Sequence, residues 1–293
     1  MATLPAVEIR RAVRQGLEED LAQGDATTAT IFSSPVPARA EIIAQQRLVV
    51  AGMAAAVQTF LMVDPSLRLS VSKHDGDQAT NGEVILHIEG DGRSILHAER
   101  VALNFLQHLS GIATLTQRFC RAVRGYPTKI LDTRKTLPGW RALQKWAVSL
   151  GGGINHRRSL SDGILIKDNH LALLRGDRRP VERACRSAHA HRSRGIPIIV
   201  EAESLSEVRQ ALAGKPDIIL LDNMAPDLVR RAVTLIQKQA LVEVSGGITL
   251  KNVRAMAAAG ADRISIGALT HSAPAATMSL VLTLAPPSRR RRA

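Results

Sequence analysis

From residue 129 onward, short apolar runs alternate with longer stretches in which apolar residues return every third or fourth position. The runs are Lys129 to Asp132, Ile164 to Asp168, Ile196 to Ala202, Ile218 to Asp222, Leu241 to Val244 and Arg263 to Ile266. Between the later runs, Arg183 to His191, Ser204 to Ala213, Pro226 to Lys238 and Leu250 to Ala259 have helical spacing. Continuously apolar strands are those covered on both faces, and strand–helix alternation means parallel strands joined by crossover helices. The reading gives six strands, short of the eight of a closed TIM barrel. Either two units are missed or the barrel is incomplete.

Before about residue 110 the pattern is mixed. Ala6 to Leu21 predicts an amphipathic helix, Ala38 to Val50 an alternating strand, and Val49 to Met62 a helix. Leu67 to His74, Glu83 to Glu89 and Ser94 to His97 read as strands between Gly, Asn and Asp turns, followed by helices over Arg100 to Gln107 and Ile112 to Arg124. This is an α+β module with an antiparallel sheet. The segment after His271 has no further strand–helix unit and is expected to pack back on this module.

Composition narrows the classes. Aromatic residues are only 2% of the chain, so the core rests on Ala, Leu, Val and Ile. The formal net charge of +13 calls for anionic partners. Nucleic acid is disfavoured: few aromatic stacking platforms are available, and neither zinc-finger spacing nor a zipper occurs. Much of the excess charge lies between Arg175 and Arg194 and in the tail Arg289 to Arg292. Cys120 and Cys185 have no CxxC partner and fit free, buried thiols in a reducing compartment. The N-terminus lacks an apolar signal region, and the run Leu48 to Val63 is broken by Gly52 and Gln58. A cytoplasmic protein without a membrane partner is expected.

The chemistry collects at the strand ends, where barrels carry their active sites. The six predicted strands end at Arg134-Lys135, Lys167, Glu201, Asp222, Ser245-Gly246-Gly247 and Gly267-Ala268. Ser245-Gly246-Gly247 leads into a helix expected near Thr249, and the combination suggests a phosphate cradle. Glu201 and Asp222 are paired carboxylates suited to general acid–base work, to a Mg²⁺ site, or to ribose hydroxyls; Glu203 lies past its strand end. Arg134, His156 and Arg157 are planar donors suited to carboxylates. Lys135 or Lys167, with a lowered pKa, would suit a Schiff-base aldolase instead. Arg141, Lys145, Arg158 and the His189 to His191 run read as surface.

The motifs EEDLAQGDATT, ERVALNFLQHLSGIATLT, DTRKTLPG, GGGINHR, LSDGILIKDNH, LLDNM, EVSGGIT and ISIGALTHS span nearly the whole chain. Through them it resembles the quinolinate phosphoribosyltransferase family, with GGGINHR and LIKDNH together the most specific pair. The resemblance implies an α/β fold, an open six-stranded barrel over residues 111–273. It also implies an α/β sandwich from 1–110 and 274–293. The implied reaction joins quinolinate to phosphoribosyl pyrophosphate with loss of CO₂, giving nicotinate mononucleotide and pyrophosphate with Mg²⁺ for NAD synthesis. Arg134, His156, Arg157 and Lys167 would line the quinolinate pocket, and Arg100 would be lent by a neighbouring subunit of a homodimer or larger assembly. Lys135, Glu201 and Asp222 would be catalytic and, with Thr133, Ser245, Gly246, Gly247, Gly267 and Ala268, would surround phosphoribosyl pyrophosphate. Glu201 and Asp222 would also hold the Mg²⁺. The chain departs from the family at Ile199, where a Glu is common, and at Trp140 and Trp146, expected to be packing changes.

Overall fold

The computed structural model describes residues 5–174 and 176–285. The Arg289 to Arg292 tail and Arg175 of the basic stretch lie outside the described residues. The chain forms two compact units. One comprises Met1–Leu115, Leu137–Gly151 and Ala273–Ala293, and the other Thr116–Thr136 and Gly152–Ser272.

The first unit opens with α1 (Ala6–Leu21), α2 (Ala26–Ile31), β1 (Pro37–Ala44), β2 (Leu48–Val49), α3 (Met53–Val63), β3 (Arg68–Val71), β4 (Gln78–Ala79) and β5 (Val84–Asp91). Helix α4 (Gly92–Ala122) leads to β6 (Lys129–Leu131) of the second unit, and α5 (Arg141–Leu150) belongs to the first. The second unit continues through β7 (Ile164–Ile166), α6 (Asp168–Ala172), α7 (Pro180–His191), β8 (Ile198–Ala202), α8 (Leu205–Gly214) and β9 (Ile218–Asp222). It ends with α9 (Pro226–Ile236), β10 (Leu241–Ser245), α10 (Val253–Ala258), β11 (Arg263–Ser265) and α11 (Ala268–His271), and β12 (Met278–Leu284) belongs to the first unit.

In the first unit the main sheet has the order β12-β1-β5-β3, and all its pairings are antiparallel. Ala38, Ala40, Ile42 and Ala44 alternate into the core, which sets the register of β1. The strand expected to run on to Val50 stops at Ala44. The polar triplet Gln45-Gln46-Arg47 ends the alternation, and Leu48–Val49 pairs with β4 in a separate ribbon. As expected, the end of the chain returns to this unit, with β12 pairing along β1.

Two expectations fail at α4. Ser94 to His97 is helix rather than strand, and the two helices expected after it are one helix of 31 residues. Ile95, Ala98, Ala102, Leu106, Leu109 and Ala113 are each 0% exposed and make one continuous helical stripe. Asp91 begins it by accepting the Arg93 N–H at 3.2 Å. The Ser110-Gly111 pair, which reads as a break, is a packing device. The Ser110 hydroxyl accepts the Ala51 N–H at 2.9 Å and donates to the Ala51 carbonyl at 3.1 Å.

Residues 137–151 group with the first unit, although the sequence placed them in the barrel. Phe105 stacks on Trp140 with centroids 4.7 Å apart. Gln144 lies 2.7 Å from His108 and accepts the Leu137 N–H. Lys145, expected at the surface, is 1% exposed on the buried side of α5 beside Leu143, Gln144, Ala147 and Val148. It is not without an interaction there, and a charge tolerates burial only when its polar group is partnered.

The second unit is a six-stranded, wholly parallel sheet ordered β6-β11-β10-β9-β8-β7. β6 and β7 are its two edges, so the barrel is open. The free edge of β6 is partly covered by an Ile154 bridge to Leu131. Ile199, Ile218 and Leu220 form a small apolar cluster with Leu165, so Ile199 serves as packing. No helix among the described residues is long and apolar enough to cross a membrane.

A Cβ added at Gly111 would lie 2.1 Å from the Pro274 carbonyl oxygen. Gly111→Ala is therefore expected to lower stability by about 1–3 kcal/mol, read as a drop in urea midpoint at unchanged slope. An unchanged midpoint contradicts this packing.

Candidate functional site

At the C-terminal ends of the parallel strands lies a cavity of about 650 Å³, within the range of small-molecule sites. It is lined by Thr133, Arg134, Lys135, His156, Arg157 and Lys167, and also by Glu201, Asp222, Ser245, Gly246, Gly247, Gly267 and Ala268. Every candidate residue read from the sequence is thus on this cavity except Arg100. That residue is exposed on α4 in the first unit and does not line it.

The cationic side is short of acceptors. The Arg134 Nε is buried and has no hydrogen-bond partner among the described residues. Arg157 donates from Nη1 to the Gly163 carbonyl at 3.0 Å. Burial and then the like charge of Arg134 push the Arg157 pKa down, only partly countered by Asp162. A half-buried Arg157 guanidinium whose charge is disfavoured by burial and by a second guanidinium beside it makes a place for an anion. Beneath them Asp132, 0% exposed, accepts the His156 N–H and the Asn155 side-chain amide, each at 2.8 Å. The loop after β6 is therefore tied to the chain that carries Arg157.

Lys167 is not a detached member of this group. Its ammonium contacts Glu201 Oε1 at 2.8 Å. Burial raises the Glu201 pKa, Lys167 opposes the rise, and Asp222 and Asp168 reinforce it. The sign follows: this shift favours folding at low pH, and the benefit is lost as pH rises through the elevated pKa. Asp222 accepts the Asn223 side-chain N–H at 2.6 Å. Among the described residues no cluster of three or more His, Cys, Asp or Glu forms a metal cage. A carboxylate pair suits Mg²⁺, which commonly takes one or two protein carboxylates and completes its shell with phosphates and water.

The glycine loops differ from the expectation in one respect. Helix α10 starts at Val253, not near Thr249, and is only 6 residues long. The Thr249 N–H is taken by the Asn252 side chain at 2.8 Å, so a helix N-terminus is not what faces the cavity. The anion-facing element is the turn itself, with φ of +83° at Gly246 and +60° at Gly247, a conformation in which successive N–H groups make an anion nest. A Cβ at Gly246 would fall 2.2 Å from Asn223 Oδ1, so only glycine fits. The next loop is tied across the sheet by the Thr270 hydroxyl, which donates to the Lys135 carbonyl at 2.7 Å. The Thr133 hydroxyl accepts the Lys135 N–H at 3.1 Å.

Asn223, Glu243, Thr249, Ser265 and His271 also line the cavity and were missed in the sequence. A signal existed for Glu243. It stands two residues before Ser245 on β10, and the strand period puts both on the same face.

Comparison with known proteins gives the lineage. Residues 25–110 match the model for the quinolinate phosphoribosyl transferase N-terminal domain, and residues 112–281 match that for its C-terminal domain. A probable nicotinate-nucleotide pyrophosphorylase [carboxylating] of Bacillus subtilis is 39% identical over 278 residues, covering 95% of this chain and 94% of that protein. The nicotinate-nucleotide pyrophosphorylase [carboxylating] of Mycobacterium leprae is 40% identical over 272 residues, covering 90% and 93% respectively. The solved nicotinate-nucleotide pyrophosphorylase from Francisella tularensis superposes with a TM-score of 0.86 at 35% identity, covering 96% of this chain and 98% of that one. With both family models spanning most of its length, the chain belongs to the quinolinate phosphoribosyl transferase family.

Proposed function

We propose that this protein transfers the phosphoribosyl group of phosphoribosyl pyrophosphate to the ring nitrogen of quinolinate. Decarboxylation follows, giving nicotinate mononucleotide, pyrophosphate and CO₂ and feeding NAD synthesis. The carboxylating pyrophosphorylase activity named for its relatives supports this. The observation that carries it is a single cavity holding the Arg134–Arg157 pair, the Glu201–Asp222 carboxylates and two glycine loops. The family assignment displaces the Schiff-base aldolase reading.

Each chemical demand then has a residue type suited to it. The two ring carboxylates face Arg134, Arg157 and Lys167, with His156 walling the same end. The ring nitrogen supplies the electron pair for the new bond to C1 of the ribose, and the electrons of the broken C1–O bond leave with pyrophosphate. Positive charge grows on the ribose as that bond breaks, and Glu201 and Asp222 are fixed in advance to stabilise it. Thr133, Lys135, Ser245, Gly246, Gly247, Gly267 and Ala268 receive the phosphates. Glu201 and Asp222 would hold Mg²⁺, which supplies neutralisation of pyrophosphate charge. The alkylated nitrogen is cationic, so the electron pair left when CO₂ departs from the adjacent carbon is stabilised beside it before a proton takes its place. No enzymic nucleophile is required, and burial pushes the Cys120 and Cys185 thiols up to about 11, far from thiolate reactivity. Free thiols also fit a cytoplasmic setting.

Arg100 is exposed on α4 and absent from this cavity. We propose a homodimer in which the partner's copy of this arginine completes the dicarboxylate clamp.

The activity is tested by supplying purified protein with Mg²⁺, quinolinate and phosphoribosyl pyrophosphate. Equal yields of CO₂ and nicotinate mononucleotide are expected, and folded protein that forms neither overturns the proposal. Site sharing is tested by mixing inactive Arg100→Ala and Lys135→Ala proteins under subunit exchange. Activity reappears if each site draws on two subunits, because some mixed dimers carry one intact site. Mixtures as inactive as their parents contradict the shared site.

A further inference from the structure

Glu243 is 0% exposed on β10, yet it lines the cavity. Its register partner on the neighbouring strand β11 is Arg263. Arg263 Nε lies 3.4 Å from one carboxylate oxygen, and His156 Nε2 lies 3.1 Å from the other. Neither oxygen is met at full hydrogen-bond geometry, so these are chiefly electrostatic contacts. Burial, the largest influence, would raise the Glu243 pKa, but the proton on His156 Nε2, the Arg263 cation and the Ser265 hydroxyl together hold it below its ordinary value. Glu243 is therefore an anion enclosed in the barrel interior.

Stability does not account for it. A buried ion pair is often matched or bettered in stability by apolar residues of similar volume, and Leu165, Ile199, Ile218 and Leu220 show that this interior accepts them.

The His156 ring shows what the charge does. Its Nδ1 accepts the Arg157 backbone N–H at 2.8 Å, so Nδ1 carries a lone pair. A carboxylate oxygen 3.1 Å from Nε2 tolerates a proton there and repels a lone pair. Both constraints give one answer, the neutral ring protonated at Nε2. The His156 backbone N–H is itself held by Asp132 at 2.8 Å, and the Arg157 side chain is held by the Gly163 carbonyl at 3.0 Å. With both ring nitrogens committed inside the protein, His156 offers no charge to a bound carboxylate.

We propose that Glu243 and Arg263 are positioning residues that fix the His156 tautomer, through which the Arg157 main chain is pinned and its guanidinium set at the height of the substrate carboxylate. The effect on turnover rests on the quinolinate reading; the tautomer does not.

The first test is nitrogen-15 NMR of the wild-type histidines at neutral pH, with His156 assigned by comparison with His156→Gln. A pyridine-like Nδ1 and a protonated Nε2 are expected. A protonated Nδ1 overturns the proposal, whatever the activity of the protein. The second test compares steady-state kinetics of Glu243→Gln and Glu243→Leu/Arg263→Met. The apolar pair should melt at or above the wild-type temperature, yet raise the KM for quinolinate on the order of tenfold while leaving the KM for phosphoribosyl pyrophosphate unchanged. Glu243→Gln, whose amide oxygen still faces Nε2, should lie closer to wild type. A folded apolar pair with wild-type quinolinate KM overturns the proposal. Wild-type protein that does not turn over quinolinate defeats the functional reading alone, and the NMR result still decides the tautomer.

Discussion

Six strands running in one direction bring six C-terminal ends to one rim, and the site depends on that constraint. A parallel sheet sends every return connection through a crossover, so the rim is built from loops that need not pair with one another. Each loop is free to carry a different chemistry. Register then does fine placement. Glu243 sits beside Arg263, and Ser245 beside Asp222, because the strands align those Cα positions.

The rim separates two kinds of electrostatic work. Among the described residues Arg157 has only a distant carboxylate influence from Asp162, and burial with the like charge of Arg134 lowers its pKa. Glu201 and Asp222 are instead partnered, by Lys167 and Asn223 respectively. An enzyme that binds a dicarboxylate and then expels one carboxyl as CO₂ needs such a division: cations held ready for the substrate, and anions fixed in place for charge that develops later. His156 lies on the same cavity with its Nε2 3.1 Å from the fully buried Glu243, and on our proposal that acid orients the ring.

Much of this is written in the sequence. The six barrel strands, the helices between the later ones and the return of the C-terminal segment to the first sheet follow from hydrophobic period, because each element buries a simple face. The strand-end rule reaches Arg134, Lys135, Lys167, Glu201, Asp222 and both glycine loops without knowledge of their neighbours. The errors are those of local reading overruled by packing. Ser94 to His97, a short apolar pair between polar residues, reads like a strand but belongs to a helical stripe that is evident only over the length of α4. Lys145 is charged and reads as surface, yet it is 1% exposed, so its burial could not be read from the pattern of α5 alone. The short α10 reads as longer in the sequence because Asn252, which closes the preceding turn, resembles ordinary helix sequence. Glu243 was legible by strand period but looks like any charge between two valines. Arg100, exposed on α4, gives no local signal of its own for the shared site we propose.

The central claim is that the cationic end of the cavity is matched to two carboxylates on one ring. Calorimetry of quinolinate and of nicotinate, the same ring with one carboxylate fewer, tests this directly. Quinolinate should bind more tightly by about 1.5–3 kcal/mol, the worth of a charge-assisted hydrogen bond. Equal affinities would contradict the account.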